Sequence, residues 1–353
     1  MLEIIKDKEN WNNILESKFK KYYDTYFLWE YYDLYEKNYS CFKELIFFQD
    51  ENIEIFWPHL IRKISDIKWL EKYDNYYDCT TPYWYWWPII NKKNDKWEKS
   101  LDLFLEKYNN YCYNNNYVSE FIRFYPVFEN YLFLNGKINK NYINNTIVLN
   151  INKNIDDIWK ENISSKRRNQ IRRENKIIKK FEIEKKPSEK SIKDFLKIYY
   201  DTMDKNEAEK KYYFSYKFIE NTFDIWKTIF IKSIDNKNNI LSQSIFFGHW
   251  DTLHYHLSAS NYNIWYWTSS SLLWEAIKYW NKKGYKYFMF GWWTSSDENN
   301  PLFKFKKSFG WTKEKFYIGK IIFNENIYNL LKMNLNMKWT FFPIYRLNFN
   351  KLI

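Results

Sequence analysis

Two groups of side chains in this sequence have types and spacings suited to chemistry. The run Leu253-His254-Tyr255-His256-Leu257 sets two imidazoles two residues apart. On a strand they share one face, with Tyr255 on the other. A histidine titrating near 6.5 could take the proton of an attacking amine, which makes His256, with Tyr255 beside it, a candidate; hydrogen-bonded packing is the plainer reading. The second group is Lys166, Arg167, Arg168, Arg172 and Arg173. Arg168 and Arg172 lie four apart and share a helical face, so with Lys166 they could grip a phosphate through bidentate guanidinium contacts. A solvated basic face would look the same. No Ser-His-Asp order, Walker loop or metal-ligand spacing is legible, and Cys41, Cys79 and Cys112 are isolated, so neither a metal nor a tightly bound cofactor is expected.

These residues need a scaffold, and the chain is long enough to supply one. At 353 residues with 45% hydrophobic content, it can build two packed domains. The apolar pattern reads as an α+β protein with mixed central sheets flanked by helices. Helices are expected over 11–23, 30–38, 101–114, 154–180, 191–203, 215–224, 268–283 and 300–309. Strands are expected over 44–49, 52–64, 119–126, 146–151, 228–233, 240–249, 252–258 and 285–290. The helix at 268–283 is the clearest: Ser and Thr open it and Gly284 stands at its end. No apolar run approaches the ~20 residues of a membrane span, and the N-terminus is too charged for a signal peptide, so a cytoplasmic location is expected. The net charge of +12 suits a phosphate-bearing partner, although codon bias toward Lys, Asn, Ile and Tyr accounts for part of it equally well.

Glycine is scarce and tryptophan abundant, 6 against 19. Average usage would give roughly 25 glycines in a chain of this size. The tryptophans stand where turns belong, in TPYWYWWP (81–88), FGWWTSSDENN (290–300) and SFGWTKE (308–314). Glycine, not a bulky indole, supplies the positive φ of tight turns. A UGA codon read as Gly in the source but translated as Trp would produce this pattern. Trp84, Trp86, Trp87, Trp292, Trp293 and Trp311 are the first candidates, then Trp250, Trp265, Trp267 and Trp280. Trp11, Trp159 and Trp274 sit in helical apolar patterns and read as genuine. The alternative is a truly Trp-rich protein that stacks aromatic rings on carbohydrate or bases.

Residues 252–310 run strand, loop, helix, strand, short helix, then Phe-Gly. That order resembles the acyl-CoA-binding half of the GNAT fold, where a glycine-rich loop opens a helix whose N-terminus receives the coenzyme pyrophosphate. With glycine at 265 and 267 the loop reads Gly-Tyr-Gly-Thr-Ser-Ser-Ser. The resemblance makes Trp265, Trp267, Thr268, Ser269 and Ser270 the expected cradle, although Tyr262 replaces the usual Gln/Arg. TPYWYWWP, SEFIRFYP (119–126), RNQIRR (168–173), YYDTMDKNEAEKKYYF (199–214), HYHLSAS (254–260) and FKKSFG (305–310) together resemble the FemAB family and its BioF-like acetyltransferase relatives.

That resemblance implies two GNAT-like domains, 1–150 and 151–314, with 315–353 returning to the first. It implies an N-acyltransferase moving an acyl or aminoacyl group from acyl-CoA or aminoacyl-tRNA to an amine, for cell-wall biogenesis if the acceptor is a lipid-linked peptidoglycan precursor near the membrane surface. Lys306 in FKKSFG matches a family lysine near the reaction centre, positioned to stabilise charge on the acyl oxygen. Tyr83, Lys166, Arg168 and Arg172 are the implied substrate contacts. Direct attack of the amine on the bound ester or thioester is the expected mechanism. A basic RNA-binding module on the same fold, without catalysis, is the competing reading.

Overall fold

The structure, a computed structural model, describes residues 1–22, 24–83, 88–264, 268–291, 299–310, 312–333 and 341–347. The chain divides into two compact units, Met1–Ile143 with Lys315–Ile353, and Asn144–Glu314.

The first unit begins with β1 (Leu2–Ile5), α1 (Lys8–Lys18), α2 (Trp29–Asn38), β2 (Cys41–Gln49), β3 (Ile53–Lys63), β4 (Tyr77–Thr80), β5 (Ile89–Lys92), α3 (Trp97–Asn114) and β6 (Tyr117–Arg123). Strands β1 to β4 pair antiparallel in chain order, β5 folds back on β3, and β6 pairs parallel with β4 after the α3 crossover. Asp7 starts α1 by accepting the Asn10 N–H. Trp11 anchors that helix: its ring meets those of Trp29, Tyr32 and Phe56, and its indole donates to the Phe27 carbonyl at 2.8 Å. Arg123 donates to the carbonyls of Thr81 and Pro82, pinning the start of the 81–88 segment to β6.

The second unit follows through β7 (Asn139–Asn150), the single turn α4 (Ile155–Asp157), α5 (Ser165–Glu174), β8 (Ile178–Glu184), α6 (Glu189–Lys205), α7 (Tyr216–Thr222), β9 (Thr228–Asp235), β10 (Ile240–His249), β11 (Thr252–Ser260), α8 (Ser269–Asn281), β12 (Tyr287–Met289) and α9 (Pro301–Lys307). Its strands lie in the order β7-β12-β11-β10-β9-β8. Neighbours are antiparallel except β11 and β12, which α8 joins as a parallel pair. Among the described residues that pairing covers only Thr252–His254 against Tyr287–Met289. Beyond it β11 runs on to Ser260 while β12 has ended.

Two expectations change here. Residues 154–180 are not one helical stretch: a π turn fills Ile158–Asn162, Ser164 caps a new helix by accepting the Arg167 N–H, and β8 pairs with β9. The alternation of 254–256 is also interrupted. Ile245 faces Leu257 and Phe246 faces Tyr255, which leaves His256 as the extra residue of a β-bulge.

Strand β13 (Thr312–Ile322) then pairs antiparallel with β6, and α10 (Glu325–Lys332) follows. The segment 341–347 is held in the first unit by Arg346, whose Nε donates to buried Asp78 at 2.6 Å, and by Tyr345, whose hydroxyl bonds Ser119 at 2.8 Å. Arg62 donates to the other Asp78 oxygen at 2.7 Å. Trp84, Trp86, Trp87, Trp265, Trp267, Trp292, Trp293 and Trp311 lie outside the described residues.

Candidate active site

The start of α8 is the polar centre of the second unit. Its Thr268 hydroxyl meets those of Ser233 and Ser242 at 2.6 and 2.5 Å, and the Ser269 hydroxyl meets Ser260 at 2.7 Å. The hydroxyls expected to cradle a phosphate therefore fasten the helix to β9, β10 and β11. At the third residue of the helix, the Ser271 backbone N–H donates to Glu174 Oε2 at 2.6 Å. A helix N-terminus attracts an anion through its exposed N–H groups and dipole, and here a carboxylate from the end of α5 takes that place. Glu174 is only 4% exposed. Burial raises its pKa, against the pull of hydrogen bonds from Ser271, Ser270 and Gln170.

Arg167 joins the same centre from the first turn of α5. Its Nε donates to Ser308 Oγ at 2.8 Å, and its Nη1 donates to Ser270 Oγ at 2.7 Å and to Gln170 Oε1 at 2.8 Å. The guanidinium lies over the Phe305 ring, 4.4 Å from its centroid. One side chain thus ties α5, the start of α8 and the residue after α9 together. Burial lowers its proton affinity and the Glu174 charge opposes that.

Lys306 stands on α9, buried to 4% exposure, with Nζ donating to the Gly291 carbonyl at 3.2 Å. That carbonyl also accepts from the Thr146 hydroxyl at 3.1 Å. Gly291 lies two residues past the end of β12, so the buried ammonium is held just beyond that strand. Burial pushes its pKa down to about 7. Such a lysine exists in both protonation states near neutrality, so it can accept a proton and then hold it.

The other expected residues lie elsewhere. Arg168 turns away from the α8 start and donates to the carbonyls of Trp159, Lys160 and Ile163 at 3.2, 2.9 and 2.6 Å. Arg172 is exposed, bonded to Asn169 and lying over Trp159, and Lys166 is exposed. The inward face of α5 is instead Arg167, Ile171 and Glu174, at i, i+4 and i+7. Buried Ile171 marks it, and that apolar residue among charges was the available signal. His256 is a poor base: burial, then the neighbouring His254 charge, holds its pKa down to about 3, and its ring lies 4.2 Å from that of Phe247. Tyr255 is pushed up to about 12 by burial, which Ser258 and Ser244 partly offset. Tyr83 belongs to the first unit, where its carbonyl accepts from the Tyr31 hydroxyl at 2.7 Å.

No family model matches the chain, and no curated protein matches it. Solved structures do. The crystal structure of FemX is similar over 93% of this chain and 99% of its own, with 12% identity and a TM-score of 0.66. L-PGS from Bacillus licheniformis is similar over 89% of this chain and 91% of its own, with 12% identity and a TM-score of 0.56. The C-terminal domain of a putative lysylphosphatidylglycerol synthetase from Agrobacterium fabrum follows, with 12% identity, a TM-score of 0.51, and coverage of 79% and 84%. Each unit of this chain has an antiparallel meander followed by a parallel pair across one helix. The chain has the FemAB-like, two-domain GNAT fold.

Proposed function

We propose that this protein is an N-acyltransferase that moves an aminoacyl group from an aminoacyl-tRNA ester to an amine. The observation that carries the reading is Lys306, buried just past the end of β12 with its Nζ on the Gly291 carbonyl, where burial pushes its pKa down to about 7. The neutral Nζ takes the proton of the amine as its nitrogen attacks the ester carbonyl. The resulting ammonium steadies the oxyanion, and its proton passes to the departing ribose oxygen as the C–O bond breaks. The chain supplies positioning and charge rather than a covalent intermediate.

Glu174 favours the tRNA ester over acyl-CoA as donor. A coenzyme pyrophosphate would need the helix N–H that Glu174 already holds, and would approach its carboxylate. The resemblance to the FemAB family implies the same donor class, and the likeness of fold to FemX is in keeping with it. A lipid-linked peptidoglycan precursor is the acceptor that the resemblance implies, and the +12 charge suits phosphate-bearing substrates at a membrane surface. Among the described residues no helix is long and apolar enough to cross a membrane.

The test is to incubate the protein with charged tRNA and a peptidoglycan precursor carrying a free amine, with acetyl-CoA in a parallel reaction, and to weigh the products. A new aminoacyl amide formed only with charged tRNA supports the reading. Acetylated product alone would replace the donor, and RNA binding with no product from either donor would favour the non-catalytic module.

A further inference from the structure

A cavity in the same unit lies at the other end of α8, about 15 Å along the helix from Ser270 at 1.5 Å per residue. It has a volume of 670 Å³ and is lined by the end of α8, the turn before β9 and the residues after β8. That volume falls in the usual range for small-ligand sites. Its charge is one-sided: among the described residues Lys185, Lys186, Lys227 and Lys283 line it, against one carboxylate, Asp224. Lys227 and Lys283 line the same cavity, and after burial the Lys283 charge further lowers the Lys227 pKa. Two cations held together in this way form a ready position for an anion.

The aromatic surface is as specific as the charge. Trp226 leaves 61% of its surface exposed on the rim, far more than structural packing needs. The Lys227 Nζ stands 4.4 Å from its ring centroid. The turn that presents the pair is fixed: Lys227 has φ +62, its carbonyl accepts the Gly248 N–H, and the Thr228 hydroxyl donates to the Ile225 carbonyl at 2.8 Å. Trp280 lies at the wall, and glycine at that position would only deepen the cavity. A flat ring beside clustered ammonium groups is the chemistry that holds a base and its phosphate.

We infer that this cavity is a nucleotide-binding site, with the base on Trp226 and the phosphate among Lys227, Lys283, Lys185 and Lys186. A free mononucleotide and one nucleotide of an RNA strand present the same chemistry. The site is remote from Arg167 and Lys306 and does not depend on the reaction proposed for them.

Calorimetric titration of the full chain with AMP and with a single-stranded RNA pentamer tests it, with adenosine and inorganic phosphate as the two halves of the ligand. The expected result is saturable binding of AMP or the pentamer, tighter than either half, and weakened about tenfold or more in Trp226→Ala and in Lys227→Glu/Lys283→Glu. Tighter binding of AMP would identify a free nucleotide as ligand, and binding of the pentamer alone would identify a strand. Lys185→Glu/Lys186→Glu, at exposed positions, provides the same test should the buried-edge variant misfold. Lys306→Met should bind as the parent does, which separates this site from the reaction centre. The assignment is overturned if neither ligand saturates, or if all the cavity variants bind like the parent.

Discussion

Glu174 Oε2 accepts the backbone N–H of Ser271 at 2.6 Å, so the helix end that the fold offers to a pyrophosphate carries a carboxylate of the chain itself. Arg167 stands beside it and fastens Ser270 and Ser308. The consequence for the donor is measurable. Acetyl-CoA at about 1 mM should move the melting temperature by less than about 1 °C, while charged tRNA should raise it saturably. A saturable shift with acetyl-CoA would show that Glu174 yields its place.

The first unit holds an ionisable cluster that the chemistry does not use. His59 is fully buried, with Nε2 3.0 Å from Glu44 Oε1 and Nδ1 3.4 Å from Glu120 Oε1 and 3.0 Å from the Tyr108 hydroxyl. Burial alone would lower its pKa, but hydrogen bonds to Glu120 and Glu44 and their charges push it up to about 9. A raised histidine stabilises the fold fully below its unfolded value near 6.5, and that stability is lost as pH rises through about 9. His59→Gln should therefore cost about 3 kcal/mol near pH 6, with the gap to the parent narrowing between about pH 6.5 and pH 9. Denaturant titrations of both proteins across that range check it. A gap that widens toward alkaline pH would contradict it.

Trp250 sits in the β10–β11 turn at φ +50, in the left-handed region that favours glycine, with 45% of its surface exposed. A bulky residue there costs about 1 kcal/mol relative to glycine. Trp250→Gly should raise the melting temperature by about 2–4 °C, the opposite of what removing a large aromatic usually does. Loss of stability would mean the indole contributes more than the turn loses. Peptide mass spectrometry on protein from its source would show which residue stands there.

Much of the second unit was legible because local pattern and tertiary need agree. The pattern places β10 at 240–249 and the structure keeps it there, while Gly284, at φ +80, follows α8 where its position predicts. The helical pattern over 154–180 runs into the first residues of β8 because Ile178–Glu184 is charged and half-exposed, an edge strand whose identity rests on pairing with β9. The site was harder to read. Spacing put Arg168 and Arg172 on one face, but which face turns inward depends on what α5 packs against, and that contact lies about 100 residues away at Ser270 and Ser271. The His256 bulge was equally hidden, since a bulge is a property of two strands and not of one.

The most direct test of the account is the pH dependence of single-turnover aminoacyl transfer in the parent and in Lys306→Met. The parent rate should rise with pH through about 7 and then level, as neutral Lys306 becomes available. Lys306→Met should fall about 10²–10⁴-fold, with no such inflection, at unchanged circular dichroism. A Lys306→Met enzyme that turns over at the parent's rate with the parent's pH profile would contradict it.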